Sequence, residues 1–186
     1  MNTMMRNFWP GLALFALMAA TRMHHFGSSL HMPDASLAVF LLAGALIASP
    51  LFFGALLIEA GLLDYVAITH MGVSDFCVTP AYWFLIPTYA VLWYAGRYYA
   101  QIHRDTLHSL GAFSIISFFS VSAAFAISNG AFYVFSGRFA DMSWSGYASR
   151  VAQYYVPYVT SAAVYLVPAV LMYALFGRKT HLVGHA

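Results

Sequence analysis

Long apolar segments alternate with short polar ones along the whole chain. Most of the charged residues fall in the polar stretches, so each apolar segment is a candidate helix. Pro50 ends the second helix, Ser36 is placed to cap its start, and Pro87 is placed to kink the fourth. The second helix is short for a span of about 20 residues, so we expect it to be tilted or covered by its neighbours. The pattern predicts helices over 8–26, 37–49, 51–68, 82–102, 110–135 and 151–176.

Composition then decides the class of protein. The chain is 62% hydrophobic and 8% charged, whereas soluble domains carry roughly 25% charged residues. We therefore predict an all-α integral membrane protein with one transmembrane domain over 1–186. No small-x-small cleavage site precedes the polar cluster after the first segment, so we expect a retained span rather than a signal peptide. The single cysteine excludes an internal disulfide, and a net charge of +2 gives no indication of nucleic-acid binding.

The basic residues are unequally shared between the two sides of a six-span arrangement. One side holds five of them, Arg6, Arg97, Arg104, Arg178 and Lys179, and the other holds three, Arg22, Arg138 and Arg150. Basic residues mark the cytoplasmic side, so we expect both termini in the cytoplasm. Loops 24–35, 69–81 and 136–149 then lie outside.

Chemically reactive residues concentrate in or beside these three external loops. They are His24, His25, His31, Asp34, Asp64, His70, Asp75, Cys77, Arg138, Asp141 and Arg150. A charge within a span is costly and by default marks a functional site, although each residue by itself could be a snorkelling interfacial group. Asp64 and Arg150 lie near the outer ends of spans, which places them to pair across a cavity mouth.

Cys77 lies in a polar loop punctuated by glycine and proline rather than inside a helix. Thiolate is a soft ligand for transition metals, and a small apolar filler is the alternative role for a lone cysteine. Tyr82 and Trp83 open the fourth helix on the same side of the membrane. Tyrosine and tryptophan there either form the usual interfacial belt or line a cavity for a large, flat, amide-decorated ligand.

These residues resemble a known family of transporters. Six short spans, an Ala16-x-x-x-Ala20 pair, and the run Pro33-Asp34-Ala35-Ser36-Leu37 followed by Leu42-Ala43-Gly44-Ala45 resemble the substrate-binding S-components of energy-coupling-factor vitamin transporters. The combination of His25, Asp64, Cys77 with Tyr82 five residues later, and Arg150 is similar to the signature of the BtuM-type cobalamin transporters. Those proteins are small, solitary relatives of S-components from Gram-negative bacteria.

The resemblance implies a ligand, a site and a location. Vitamin B12 or its precursor cobinamide would bind from the periplasm in a cavity of the inner-membrane bundle, under the external loops. Cys77 would be the axial ligand of the corrin cobalt, with His25, Asp64, Tyr82 and Arg150 shaping the site. Whether an energising module takes part stays open. Electron donation from the bound sulfur, with a second thiol from outside, could also release cyanide from cyanocobalamin.

Two other functions stay open on the residues alone. Cobalt in a corrin needs only one axial donor from the protein, whereas a bare metal ion needs three or four clustered ligands. A transporter or sensor of free metal ions could assemble them from His24, His25, His31, His70, Asp75 and Cys77. A haem redox enzyme needs axial histidines in facing helices, but all eight histidines lie at span ends, in loops or at the termini.

Overall fold

The computed structural model describes residues 3–22 and 32–176. In these ranges the chain forms six α-helices and two 3-10 helices, and no β-strand. The 3-10 helices, Asp75–Cys77 and Pro80–Phe84, lie between α3 and α4. The prediction of an all-helical bundle is confirmed. The α-helices are α1 (Thr3–Arg22), α2 (Ser36–Leu46), α3 (Pro50–His70), α4 (Leu85–Ile102), α5 (Leu107–Phe135) and α6 (Trp144–Phe176).

Three helices are long and apolar enough to cross a membrane, namely Pro50–His70, Leu107–Phe135 and Trp144–Leu175. The apolar parts of α1 and α2 are shorter, at Phe8–Arg22 and Ser36–Leu46. Long apolar helices of this kind are typical of a membrane protein. The composition and the helix lengths therefore both indicate a membrane protein.

Helix α2 lies at the centre of the bundle. Eight of its 11 residues are buried, and it packs against α1, α3, α4 and α6. A helix that is apolar all round has no face suited to water, so burial on every side is expected. Phe40 of α2 stacks on Tyr89 of α4 with ring centroids 4.1 Å apart. The expectation that the second helix is covered by its neighbours is confirmed.

The backbones of α2 and α4 touch at two glycines. A Cβ atom on Gly44 would lie 2.0 Å from the carbonyl oxygen of Trp93, and one on Gly96 would lie 2.0 Å from that of Leu41. Only glycine fits at either position, because a Cβ atom would collide with the backbone of the facing helix. Small residues of this kind let membrane helices approach closely. Ala16 and Ala20, by contrast, are exposed on α1, so this small-residue pair does not pack within the described chain.

Several predicted helix ends are wrong for local reasons. Helix α2 ends at Leu46, and Ser36 does not cap it, because Ala35 occupies the cap position. The Ser36 backbone N–H instead donates to Asp34 Oδ1 at 2.9 Å. Helix α5 begins earlier than predicted because Thr106 Oγ1 accepts from the backbone of Ser109 at 3.2 Å.

The largest correction concerns the start of α6. Ser143 Oγ accepts from the Gly146 backbone N–H at 3.1 Å and begins the helix at Trp144 rather than Val151. Arg150 is consequently inside α6.

Helix α4 begins later than predicted, at Leu85, so Pro87 lies in its first turn. A proline in the first turn removes no hydrogen bond from the helix, so this position does not by itself require a kink. The kink at Pro87 stays a prediction.

Candidate functional site

A buried arginine organises the end of the bundle that carries Cys77. Arg22 ends α1, and its Nε and Nη2 atoms bind Oδ1 and Oδ2 of Asp64 on α3 at 2.9 and 2.7 Å. Arg22 is 3% exposed and Asp64 is 5% exposed. Burying either charge without its partner would be strongly unfavourable. The two-point contact is the geometry that best fits a guanidinium to a carboxylate.

The remaining donors of Arg22 join further elements. Nη1 donates to Ser36 Oγ at 2.8 Å, to Tyr89 Oη at 2.8 Å and to Asp34 Oδ2 at 3.3 Å. One cation therefore connects α1, the start of α2, α3 and α4. We call this set the Arg22 cluster; it contains Arg22, Asp34, Ser36, Asp64, Tyr82 and Tyr89.

Tyr82 connects the Arg22 cluster to the loop of Cys77. Its hydroxyl donates to Asp64 Oδ2 at 2.6 Å. Partial burial and the hydrogen bond to the charged Asp64 both raise the pKa of Tyr82, so the phenol stays protonated and keeps donating. Tyr82 belongs to the 3-10 helix Pro80–Phe84, and its position there fixes the chain that leads from Cys77 into α4.

The predicted pairing of Asp64 with Arg150 is wrong. Asp64 is bound by Arg22 and Tyr82, while Arg150 lies against aromatic rings. The Arg150 Cζ atom is 5.4, 4.7 and 5.0 Å from the ring centroids of Phe132, Phe139 and Tyr154, respectively. A guanidinium over ring faces is stabilised by cation–π attraction. Arg150 is thus held by α5, α6 and the loop between them rather than by a carboxylate of the described chain.

Cys77 lies on the surface of the same end. It is exposed and ends the 3-10 helix Asp75–Cys77. Ser74 Oγ accepts from the Phe76 backbone N–H at 3.2 Å and so caps this turn. Partial burial by neighbouring atoms raises the pKa of the Cys77 thiol, the charge of Asp64 raises it further, and Arg138 opposes the shift. The sulfur is therefore accessible and, at neutral pH, carries its proton.

A second set of residues lies beside the cysteine. Arg138 Cζ is 4.6 Å from the ring centroid of Phe76, and its Nη2 donates to the Phe76 carbonyl oxygen at 3.4 Å. Phe76 packs on Phe132 with centroids 5.7 Å apart. These contacts fix the Cys77 loop to α5 and to the loop after it. We call this set the arginine–aromatic surface; it contains Phe76, Phe132, Arg138, Phe139, Arg150 and Tyr154.

The structure brings Asp64, Tyr82 and Cys77 to one end of the bundle and places Arg150 at that end within the arginine–aromatic surface. His25 lies outside the described residues, as do His24 and His31.

Sequence reasoning did not identify Arg22, Ser36 or Tyr89 as site residues. A signal existed for Arg22, because a charge in the last turn of an apolar helix marks a functional position.

The alternative of a free metal ion gains no site in the described ranges. There, no three residues among the histidines, cysteine and carboxylates come together as a candidate metal site. Half of the predicted ligand set, His24, His25 and His31, falls in the segment that is not described. The metal-ion hypothesis therefore stays a prediction.

Two cavities of about 280 Å³ each lie between α5 and α6. One is apolar and lies along the middle of the helices, and the other is lined by Tyr133, Met142 and Trp144. Neither is lined by Cys77, Asp64, Tyr82 or Arg150. Cys77 is exposed and lines neither of these two cavities.

The chain matches no protein-family model, and no curated protein matches it in sequence.

Proposed function

We propose that this chain takes up cobalamin or cobinamide across the bacterial inner membrane and binds the corrinoid cobalt through the sulfur of Cys77. The observation that carries the proposal is an accessible cysteine held between the Arg22 cluster and the arginine–aromatic surface. The combination of His25, Asp64, Cys77, Tyr82 and Arg150 and the resemblance to BtuM-type cobalamin transporters support the choice of ligand.

The ligand chemistry suits a single donor. A corrin supplies four nitrogens in the plane of the cobalt and leaves axial positions that one protein atom can fill. Cys77 supplies a soft sulfur donor, and the chain contains no second cysteine. An exposed sulfur is also what a large, flat ligand needs, because the corrin face must approach the donor directly.

The loop is held in place before any ligand arrives. Tyr82 is bound to Asp64, which is bound to Arg22, and Phe76 lies between Arg138 and Phe132. Cys77 lies between these two anchored positions. A donor whose position is fixed in advance loses little conformational freedom on binding, which favours affinity.

Ligation also accounts for the proposed conversion of cyanocobalamin. The cobalt–carbon bond to cyanide breaks and a cobalt–sulfur bond forms. The thiol proton leaves with the cyanide as hydrogen cyanide, so cobalt keeps its oxidation state. This exchange differs from the reductive release expected from the sequence, because it requires no second thiol from outside. Metal binding favours the deprotonated thiol, which offsets the raised pKa of Cys77 in the free protein.

The membrane arrangement is part of the proposal. Six spans, with α1, α2 and α4 crossing beside the three long helices, place both termini in the cytoplasm and the Cys77 end in the periplasm. The five-to-three distribution of basic residues supports this orientation. The exposed pair Ala16 and Ala20 would offer a docking face if an energising module takes part.

The visible spectrum of the purified protein with cyanocobalamin tests the proposal. We expect the parent protein to shift the spectrum away from that of free cyanocobalamin and Cys77→Ser to leave it unchanged. Serine is nearly isosteric but a poor ligand for cobalt. Val78→Ser is the matched control, because Val78 is the exposed neighbour and its replacement keeps the sulfur.

The outcomes separate the hypotheses. Equal spectra for the parent and Cys77→Ser would exclude sulfur ligation even if both bind the vitamin. A parent protein that binds zinc or nickel but no corrinoid would favour the metal-ion transporter instead.

A further inference from the structure

The arginine–aromatic surface contains two cations without an ionic partner in the described chain. Arg22 is bound to Asp34 and Asp64, whereas neither Arg138 nor Arg150 forms an ion pair with a carboxylate of residues 3–22 or 32–176. Both lie at the Cys77 end of the bundle. Two cations without a counter-charge at one end of the bundle attract an anion that can reach both of them.

Aromatic rings cover the guanidinium of Arg150, and no residue of the described chain accepts a hydrogen bond from it. The rings of Phe132, Phe139 and Tyr154 surround its guanidinium. Its Nε atom is buried and has no acceptor in the described chain. A buried donor left without an acceptor is unfavourable, so a ligand oxygen at this atom would be stabilised. Stacking uses the flat face of a guanidinium and leaves its N–H groups for an anion.

Arg138 is connected to Arg150 through a short series of ring contacts. Arg138 lies over Phe76, Phe76 packs on Phe132, and Phe132 contacts Arg150. Phe139, the residue after Arg138, contacts Arg150 directly. Arg138 is exposed and donates one N–H to the Phe76 carbonyl oxygen, which leaves its other donors available. Phe76 precedes Cys77, so Arg138 borders the proposed cobalt ligand.

We infer that Arg138 and Arg150 form a subsite for a phosphodiester anion and that it recognises the phosphate of the corrinoid's nucleotide loop. The inference rests on the proposed function. Guanidinium groups bind phosphate oxygens through paired N–H donors. Cobalamin carries one such phosphodiester and cobinamide carries none, so the subsite selects the complete vitamin over its precursor.

The test compares two ligands on matched variants. Cobalamin and cobinamide are titrated into the protein in a detergent without phosphate, and binding is followed by the visible spectrum. We expect Arg138→Gln to weaken cobalamin binding by about tenfold and to change cobinamide binding by less than about twofold. Arg138→Lys keeps the charge and loses the paired geometry, so its effect should be intermediate. Arg97→Gln is the control, because Arg97 also stacks on a ring, that of Trp93, but lies in the last turns of α4.

An equal loss for both ligands would overturn the inference, because Arg138 would then only hold Phe76 and the loop. Unchanged binding of both ligands in Arg138→Gln would overturn it as well. Failure of the parent to bind either corrinoid would instead refute the proposed function.

A phospholipid head group carries the same phosphodiester chemistry and is tested separately. The titrations are repeated with added phosphatidylglycerol. If the effect of Arg138→Gln appears only with the lipid present, the occupant is a lipid phosphate and the assignment to the nucleotide loop is wrong.

Discussion

The Arg22 Nη2 atom lies 2.7 Å from Asp64 Oδ2, and these two residues are 42 positions apart in the chain. This contact joins the end of α1 to α3 and brings Tyr82 into the same cluster. The carboxylate that was predicted to face a distant arginine is therefore already bound inside the bundle. Asp64 acts as the support for the loop that carries Cys77.

Removing the Arg22 side chain should destabilise the protein severely. We expect Arg22→Met to lower the free energy of unfolding by about 3–5 kcal/mol, because buried Asp64 would lose its cation. Thermal unfolding in detergent, followed by far-UV circular dichroism, measures the loss. Arg104→Met, at an exposed position between α4 and α5, should change stability by less than about 0.5 kcal/mol. Similar midpoints for the two variants would show that the Arg22 cluster contributes little to stability.

The reactivity of Cys77 should depend on pH in a way that reveals its neighbours. Burial and Asp64 raise the pKa of the thiol and Arg138 lowers it. Only the thiolate reacts with a maleimide, so the rate should reach half its maximum above the pH of about 8.5 that is typical of a free thiol. Arg138→Gln removes a cation that favours the thiolate, so its midpoint should lie higher still. Faster reaction of Arg138→Gln than of the parent at pH 8 would contradict the placement of Arg138 beside the sulfur.

The close approach of α2 and α4 should be sensitive to a single methyl group. Gly96→Ala places a Cβ atom 2.0 Å from the Leu41 carbonyl oxygen, so the helices must separate. We expect a loss of about 1–3 kcal/mol, the usual cost of overpacking. Gly61→Ala is the control, since nothing lies within 4 Å of its added Cβ atom. Comparable stability of both alanine variants would exclude the tight backbone contact.

The apolar pattern was sufficient to predict the helices but not their partners. Long apolar segments form helices in a membrane because the backbone must satisfy its own hydrogen bonds there. Helix α2 is apolar on every side, so its sequence does not specify which neighbours it contacts. The packing of α1 beside α3, which brings Arg22 to Asp64, follows from those neighbours.

The candidate site could be predicted only in part, because the sequence does not specify which helices pack together. Asp64 and Tyr82 could be assigned to one end of the bundle from their places at segment ends, and their hydrogen bond follows from that proximity. The contacts of the Arg150 side chain could not be predicted, because the predicted α6 began too late and left this residue outside the helix. Once it is within α6, its side chain lies against the rings of Phe132 and Phe139 instead of a carboxylate.

The length of α2 has a consequence for how the chain is made. A helix of 11 residues is about 16 Å long, roughly half the thickness of a bilayer's hydrocarbon core. Such a helix cannot remain inserted by itself as it leaves the ribosome, because its end groups would lie in lipid without hydrogen-bond partners. Its closest neighbour, α4, is synthesised only after α3 is complete. In the six-span arrangement proposed above, α2 would therefore depend on α4 for a stable position in the membrane, and a truncation before α4 would remove that partner.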